Sequence, residues 1–238
     1  MFENMDTADP GLGDTTVAAL ADYFEEATEF EQLLTQLLDA GVADDDRMRA
    51  DVRAQVILER YQEQPHLLDR HLEGYFGRLV GAVRSRYFVQ QAQQRGQQRD
   101  TFNSVMTLLY FLAKVRGPKV IVKFFSHDVT DVEPLLAMLQ RQGRDAVAVW
   151  MTRYVLLLWL SIVCMIPFDF DKIDTNGRLL ASLVDEAKWY IGVFGKEREA
   201  AVLLLARLFV RRDVLEPHLA TFIDWAMDEF DTKNPLLV

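Results

Sequence analysis

The sequence is poor in cysteine, and Cys164 is the single thiol among its 238 residues. One cysteine excludes an intrachain disulfide and a zinc cluster built on several thiolates. The composition therefore favours a protein of a reducing compartment over a secreted disulfide scaffold.

Long hydrophobic runs are also missing. The longest apolar stretch, Val155–Ile166, has 12 residues, whereas a membrane-spanning helix needs about 20. The first 16 residues lack the basic region and apolar core of a signal peptide. We therefore expect no membrane span, and we interpret residues 155–166 as a fully buried helix of a soluble core.

Basic residues are outnumbered, with 26 Lys and Arg against 36 Asp and Glu, which gives a net charge of −10. Nucleic-acid-binding proteins usually have the opposite sign, so we expect no nucleic-acid partner. The charge is unevenly distributed along the chain: residues 1–69 have a net charge of −13, residues 70–123 of +8, and residues 124–238 of −5. The locally basic segment is therefore more informative than the total.

Catalytic and metal-binding patterns are absent as well. His66 and His71 are five residues apart, whereas two helical histidines that share a metal have i, i+4 spacing. The three carboxylates in 168–174 lack the glycine of a calcium-binding loop, and we interpret them as an acidic loop between helices. We predict no catalytic residue, no cofactor and no metal ion.

Helical periodicity is the dominant positive signal. Apolar residues recur at i, i+3, i+4 and i+7 in five segments: 76–83, 105–112, 132–139, 202–209 and 219–226. This pattern is typical of amphipathic helices, and alternating strand patterns are nearly absent, so the fold is predicted to be all-α. Helix pairs are predicted to start near residues 101, 131, 177 and 213. Their spacing is close to that of HEAT or armadillo repeats, although a single helical bundle would show the same periodicity.

We expect three parts along the chain. Residues 1–44 form an acidic leader that is partly helical, and residues 45–230 form a helical-repeat domain with a glutamine-rich, low-complexity loop at about 90–100. Residues 231–238 begin a further helix after a polar break. Because a finished solenoid ends in a polar cap, we expect the chain to be a fragment of a longer solenoid.

The basic segment contains the candidate partner-binding residues Arg84, Arg86, Arg116, Lys119 and Lys123. On one rim of a solenoid, these side chains would steer an acidic protein partner toward the molecule. The alternative is that they belong to ordinary solvated helix faces, some of them paired with the acidic leader.

Several longer motifs follow one another along the chain: YQEQPHLLD (61–69), KVRG (114–117), HDV (127–129), DVEP (131–134), TRYVLLLWLS (152–161) and IPFDF (166–170). In this order they resemble the N-terminal region of the tubulin-folding cofactor D family, whose members are also called tubulin-specific chaperones D. A weaker match extends through FIDW (222–225). The resemblance covers roughly residues 47–230, and the leader and the glutamine-rich loop show no motif of the family.

The resemblance implies a HEAT/armadillo-type solenoid in the cytoplasm or at the cytoskeleton that acts after the chaperonin. It implies capture of β-tubulin, joint action with cofactors E and C and an Arf-like small GTPase, and assembly or disassembly of the αβ-tubulin dimer. It also implies that the cofactor complex stimulates GTP hydrolysis by tubulin, with no catalytic centre in this chain. The alternative that the residues leave open is a generic helical-repeat adaptor for a different protein.

Overall fold

The structure, a computed structural model, describes residues 23–88, 97–144, 146–174 and 177–233. These residues form α-helices and short 3₁₀ turns, and they include no strand, which confirms the all-α prediction. The helices are α1 (Ala27–Leu38), α2 (Asp44–Arg60), α3 (Asp69–Ala82), α4 (Gln97–Arg116), α5 (Pro118–Ile121), α6 (Val132–Arg141), α7 (Trp150–Val163), α8 (Leu179–Ile191), α9 (Lys196–Leu208) and α10 (Arg212–Lys233).

Four helices, α2, α4, α7 and α9, lie side by side and form what we call the B layer. They run parallel to one another. The C-terminal ends of α2 and α4 are joined by an ion pair between Glu59 and Lys114 at 2.8 Å. The C-terminal halves of α7 and α9 are joined by a hydrogen bond from Arg207 to the Ser161 hydroxyl, also at 2.8 Å.

Each helix of the B layer is preceded by a helix of a second layer, the A layer, formed by α1, α3, α6 and α8. The two helices of a pair are antiparallel. Glu29, early in α1, bonds Arg53 in the second half of α2, and Asp69 at the start of α3 bonds Arg116 at the end of α4. A parallel layer of second helices, each packed on its own antiparallel partner, is the architecture of an α-solenoid and excludes the simple bundle.

The centre of the hydrophobic core is α7. Every side chain from Thr152 to Ser161 is buried, including Trp159, whose indole N–H donates to the Ser126 carbonyl at 3.1 Å. This helix packs on α4, α6 and α9 at once, which is why its sequence is apolar on all sides rather than on one stripe. The interpretation of residues 155–166 as a buried helix is therefore confirmed for the part within α7.

One predicted pair boundary is wrong. The helix near residue 101 is α4, which is the second member of a pair that begins with α3 at Asp69. The glutamine-rich stretch, of which residues 89–96 lie outside the described part of the chain, separates the two helices in sequence, so local sequence does not show that they form a pair. The starts predicted near 131, 177 and 213 coincide with α6, α8 and α10.

The ends of the predicted repeat domain also differ from the structure. Phe24, Phe30 and Leu34 are buried in the same core as α2 and α3, so the leader is part of the helical domain from Tyr23 onward. At the other end α10 continues through the expected polar break to Lys233, with the Thr232 hydroxyl donating to the Asp228 carbonyl at 2.7 Å. Residues 1–22 and 234–238 lie outside the described ranges.

Candidate functional site

Because the helices of the B layer are parallel, their C-terminal ends lie at one edge of the molecule. The loops that lead from each of these helices to the next pair therefore meet at this edge, which we call the loop edge: residues 61–68, 117–125, 164–173 and 209–211. Three of the motifs that resemble the cofactor D family, YQEQPHLLD, KVRG and IPFDF, lie wholly or partly in these loops. Loops held by a rigid scaffold are the usual location of binding residues.

Ion pairs connect neighbouring parts of the loop edge. Arg116 binds Asp69 through two nitrogens, with Nη2 at 2.9 Å from Oδ2. Hydrogen bonding to this guanidinium lowers the pKa of Asp69 below its usual value, so the carboxylate stays charged at neutral pH. Arg116 therefore has a structural role at the edge, and its charge is largely neutralised within the chain.

Lys119 and Lys123 differ from Arg116. Both side chains are exposed, and neither forms an ion pair within the described residues. Lys123 lies 4.9 Å above the ring of Phe124. Gly117, with a φ of 92°, turns the chain out of α4 into the short helix that presents Lys119. Together with the exposed Lys172 of the 164–173 loop, these two lysines are cationic groups that the loop edge leaves available to a partner.

Arg84 lies elsewhere. It donates to Asp131 at 3.0 Å and to Asp128 at 2.7 Å, and so anchors the segment that leads into α6. It follows Asp69 by 15 residues along α3 and its π-helical extension Val83–Phe88, which corresponds to roughly 20 Å. Arg84 is thus too far from Arg116 to share one rim with it.

Arg86 is exposed and lines a groove of about 540 Å³ together with Arg47 and Tyr87. The structure therefore separates the five predicted residues into two groups. Arg116, Lys119 and Lys123 lie at the loop edge, whereas Arg84 and Arg86 lie near the far end of α3. Their role in binding a partner stays a prediction for both groups.

Arg211 is a residue that the sequence analysis missed. Its Nη1 donates to the carbonyls of Cys164 at 3.2 Å and Ile166 at 2.5 Å, and its Nη2 donates to the Phe168 carbonyl at 2.6 Å. The guanidinium also binds Asp213 at 2.8 Å and stacks 4.7 Å from the ring of Phe170. Arg211 comes 43 residues after the loop that it organises, so no local spacing in the sequence links the two.

The other candidate positions have structural roles. The His71 ring stacks on Tyr75 at 5.6 Å and contacts Phe24 edge-on at 5.7 Å, which fixes the entry to α1 against α3. Burial raises the pKa of Cys164 to about 12, so the thiol is neutral and unreactive in the folded protein.

Within the described residues, no three metal-ligating side chains form a group that could hold an ion, and no helix is long and apolar enough to cross a membrane.

The stacked helix pairs define the class of this protein: it is a helical-repeat protein of the armadillo type. Within that class it belongs to the tubulin-specific chaperone D-like family, because the ARM-repeat profile of that family matches residues 58–230. The resemblance seen in the motifs is thereby confirmed.

Two relatives are similar over most of the chain. Tubulin-folding cofactor D of Schizosaccharomyces pombe is 27% identical over 187 residues, which cover 77% of this chain and 16% of the relative. Tubulin-specific chaperone D of Dictyostelium discoideum is 24% identical over 226 residues, which cover 64% of this chain and 15% of the relative. The chain thus spans about one sixth of the length of these relatives. No solved structure matches it.

Proposed function

We propose that this chain acts in tubulin folding as the helical-repeat part of a cofactor that binds β-tubulin in the cytoplasm. The observation that supports this function is the match of the family profile to residues 58–230. In this role it would work with cofactors E and C and an Arf-like small GTPase in assembling or dismantling the αβ-tubulin dimer. Stimulation of GTP hydrolysis by tubulin would belong to the whole complex, with the reacting groups on tubulin.

The loop edge is the surface that we assign to tubulin. Tubulin is an acidic protein, and Lys119 and Lys123 are exposed cations without an ion pair in the described part of the chain. Charges of opposite sign across an interface increase the association rate and align the partners, and the effect weakens as salt is added. The ion pairs of Arg116 and Lys114 hold the loops around the two lysines in place.

The test is charge reversal of the two lysines, Lys119→Glu with Lys123→Glu, followed by binding to purified tubulin. We expect roughly tenfold weaker binding at low salt, because two favourable charge contacts become repulsive. The dependence of binding on salt concentration should flatten. Both side chains are exposed, so the melting temperature should stay within about 2 °C of the parent value.

Arg84→Glu and Arg86→Glu are the comparison variants. Arg84→Glu should lower the melting temperature, since it places a third carboxylate beside Asp128 and Asp131, whereas Arg86→Glu should leave stability unchanged. A loss of tubulin binding in Arg86→Glu alone would move the tubulin surface to the far end of α3. If the double lysine variant binds tubulin as well as the parent chain at low salt, the assignment of the loop edge as the tubulin-binding surface is wrong. A parent chain that does not bind tubulin but binds another protein would favour the alternative of a generic helical-repeat adaptor.

A further inference from the structure

Three large apolar side chains are exposed in one region of the loop edge. Met165 is 56% exposed, Phe168 53% and Val210 76%. The loop with Met165 and Phe168 is tied to the segment with Val210, because Arg211, the residue after Val210, binds the backbone carbonyls of Ile166 and Phe168. Isolated exposed apolar residues are ordinary, but a contiguous group on a folded surface commonly marks an interaction site.

The loop that presents this group is held in place by hydrogen bonds to its backbone. Arg211 fixes three of its carbonyls, and Asp213 accepts the N–H of Phe170 at 2.9 Å. The side chain of Phe170 is buried, so the chain is anchored on the inside while Phe168 points outward. A loop ordered before binding loses little conformational entropy when it meets a partner, and this makes an exposed aromatic residue an effective anchor.

We propose that Met165, Phe168 and Val210 form an apolar knob, oriented by Arg211, that inserts Phe168 into an apolar pocket of the tubulin client. This inference rests on the proposed function and deepens it, because it names the apolar contact that accompanies the charge contacts of Lys119 and Lys123. Arg211 is a positioning residue in this scheme, since it acts on the partner only through the loop.

The knob alone is too small to hold a stable complex. Three partly exposed side chains of this kind offer on the order of 300 Å², whereas a stable interface buries about 800 Å² on each partner. The remaining area must come from neighbouring surface, so the partner has to extend along the loop edge.

The neighbouring surface is the part of the loop edge that contains Lys123. The ring of Phe125, two residues further on, stacks on Trp159 at 5.2 Å. Trp159 itself precedes the loop that carries Met165 and Phe168, which we call the knob loop, by little more than one helical turn. A partner that covers both the knob and Lys123 needs an apolar pocket next to an acidic surface, and this chemistry is the one expected of tubulin.

The experiment compares Phe168→Ala with Phe194→Ala in binding to purified tubulin. Phe194 is a matched control, since it is 92% exposed and lies in the α8–α9 loop, at the edge opposite to the loop edge. We expect Phe168→Ala to weaken tubulin binding at least tenfold and to leave the salt dependence unchanged, with Phe194→Ala within twofold of the parent chain. Melting curves of both variants and light scattering of the parent chain accompany the measurement.

Each result decides a separate point. If the parent chain binds tubulin and Phe168→Ala binds equally well, the knob is wrong and the proposed function stands. An equal loss in both phenylalanine variants would also overturn the knob, because it would show nonspecific adhesion. A parent chain that does not bind tubulin overturns the proposed function and the knob with it. A dimer of the chain that Phe168→Ala dissociates would identify a second copy as the occupant and contradict the proposal.

Discussion

At the scale of single residues, two arginines in the C-terminal half of the chain donate hydrogen bonds to backbone carbonyls that lie outside the helices. Arg211 binds the carbonyls of the knob loop, and Arg153 donates to the carbonyls of Gly143 and Ala146, both at 2.8 Å. Arg153 is only 4% exposed and is paired at 3.0 Å with the equally buried Glu197. Planar guanidinium groups with five donors suit this task, because one side chain serves several acceptors at once.

Replacing Arg153 by Met should destabilise the protein strongly. The change leaves Glu197 as a buried charge without its partner and two loop carbonyls without their donor, for which we expect a loss of about 3–5 kcal/mol in the free energy of unfolding. The measurement is urea denaturation followed by circular dichroism. Adding Glu197→Gln should recover part of the loss, because it removes the unpaired charge but does not restore the two hydrogen bonds from Arg153 to the loop carbonyls.

Arg49→Met is the control for this prediction. Arg49 pairs with Asp46 three residues earlier on the same helix, and its side chain is 75% exposed, so its loss should change the free energy of unfolding by no more than about 0.5 kcal/mol. A similar effect of Arg153→Met and Arg49→Met would show that the buried pair contributes no more than a surface pair.

At the scale of elements, two glycines have opposite requirements. Gly117 ends α4 with a φ of 92°, a conformation that residues with a Cβ atom rarely adopt. Gly77 lies inside α3 with ordinary helical geometry, and a Cβ atom built there would have no neighbour within 4 Å. The first glycine is needed for the turn that presents Lys119, and the second only weakens its helix.

The substitutions Gly117→Ala and Gly77→Ala should therefore change stability in opposite directions. We expect Gly117→Ala to lower the free energy of unfolding by about 1–2 kcal/mol, because alanine is strained at this φ. Gly77→Ala should raise it by about 0.5–1 kcal/mol, since alanine loses less backbone entropy in a helix. Thermal melting of the two variants measures both effects, and a shift in the same direction would contradict the explanation.

The helix boundaries show which elements can be predicted from local sequence. The three aspartates at 44–46 are found at the start of α2, as their charge at a helix N-terminus predicts. The pairing of α3 with α4 could not be predicted, because it depends on contacts such as Arg116 with Asp69 across 47 residues. Chemistry within one turn determines where a helix starts, whereas its partner is chosen by the packing of distant faces.

At the scale of the whole molecule, the layers give the helices very different environments. The central helix α7 is covered by α4, α6 and α9, and its leucines and Trp159 are 0–1% exposed. The last described helix, α10, contacts the rest mainly through Val214, Phe222 and Trp225, and it leaves Ile223, Met227 and Phe230 about half exposed.

Amide hydrogen exchange should follow this gradient. We expect α7 to exchange only through global unfolding and α10 to open locally, with amides that exchange at least about 100-fold faster. Mass spectrometry of peptides from the two helices measures the difference. Equal protection in α7 and α10 would show that the array unfolds as one cooperative unit.

The net charge of −10 also has a different meaning at this scale. Glu26 and Glu29 of the acidic leader bind Arg60 and Arg53 of α2, and the basic segment binds carboxylates through Arg84, Lys114 and Arg116. The pairs of Lys114 with Glu59 and of Arg116 with Asp69 join the acidic segment 1–69 to the basic segment 70–123, so part of the charge asymmetry that the sequence shows is satisfied within the fold. Lys119 and Lys123 remain exposed without an ion pair in the described ranges, and they carry the proposed interaction.

The sequence by itself determined the all-α class, the buried helix over residues 155–163 and the family, because periodicity, apolar runs and motifs are properties of neighbouring residues. The exposed Met165 at the end of the same apolar run was not predicted. Only the tertiary structure decided how α3 pairs, which basic residues are already neutralised, and that Arg211 holds the knob loop. The contacts of Arg116 with Asp69 and of Arg211 with Phe168 join groups more than 40 residues apart, and even Arg53 and Glu29 are 24 residues apart. Their proximity follows from the parallel stacking of helices in the B layer, and no pattern along the chain encodes it directly.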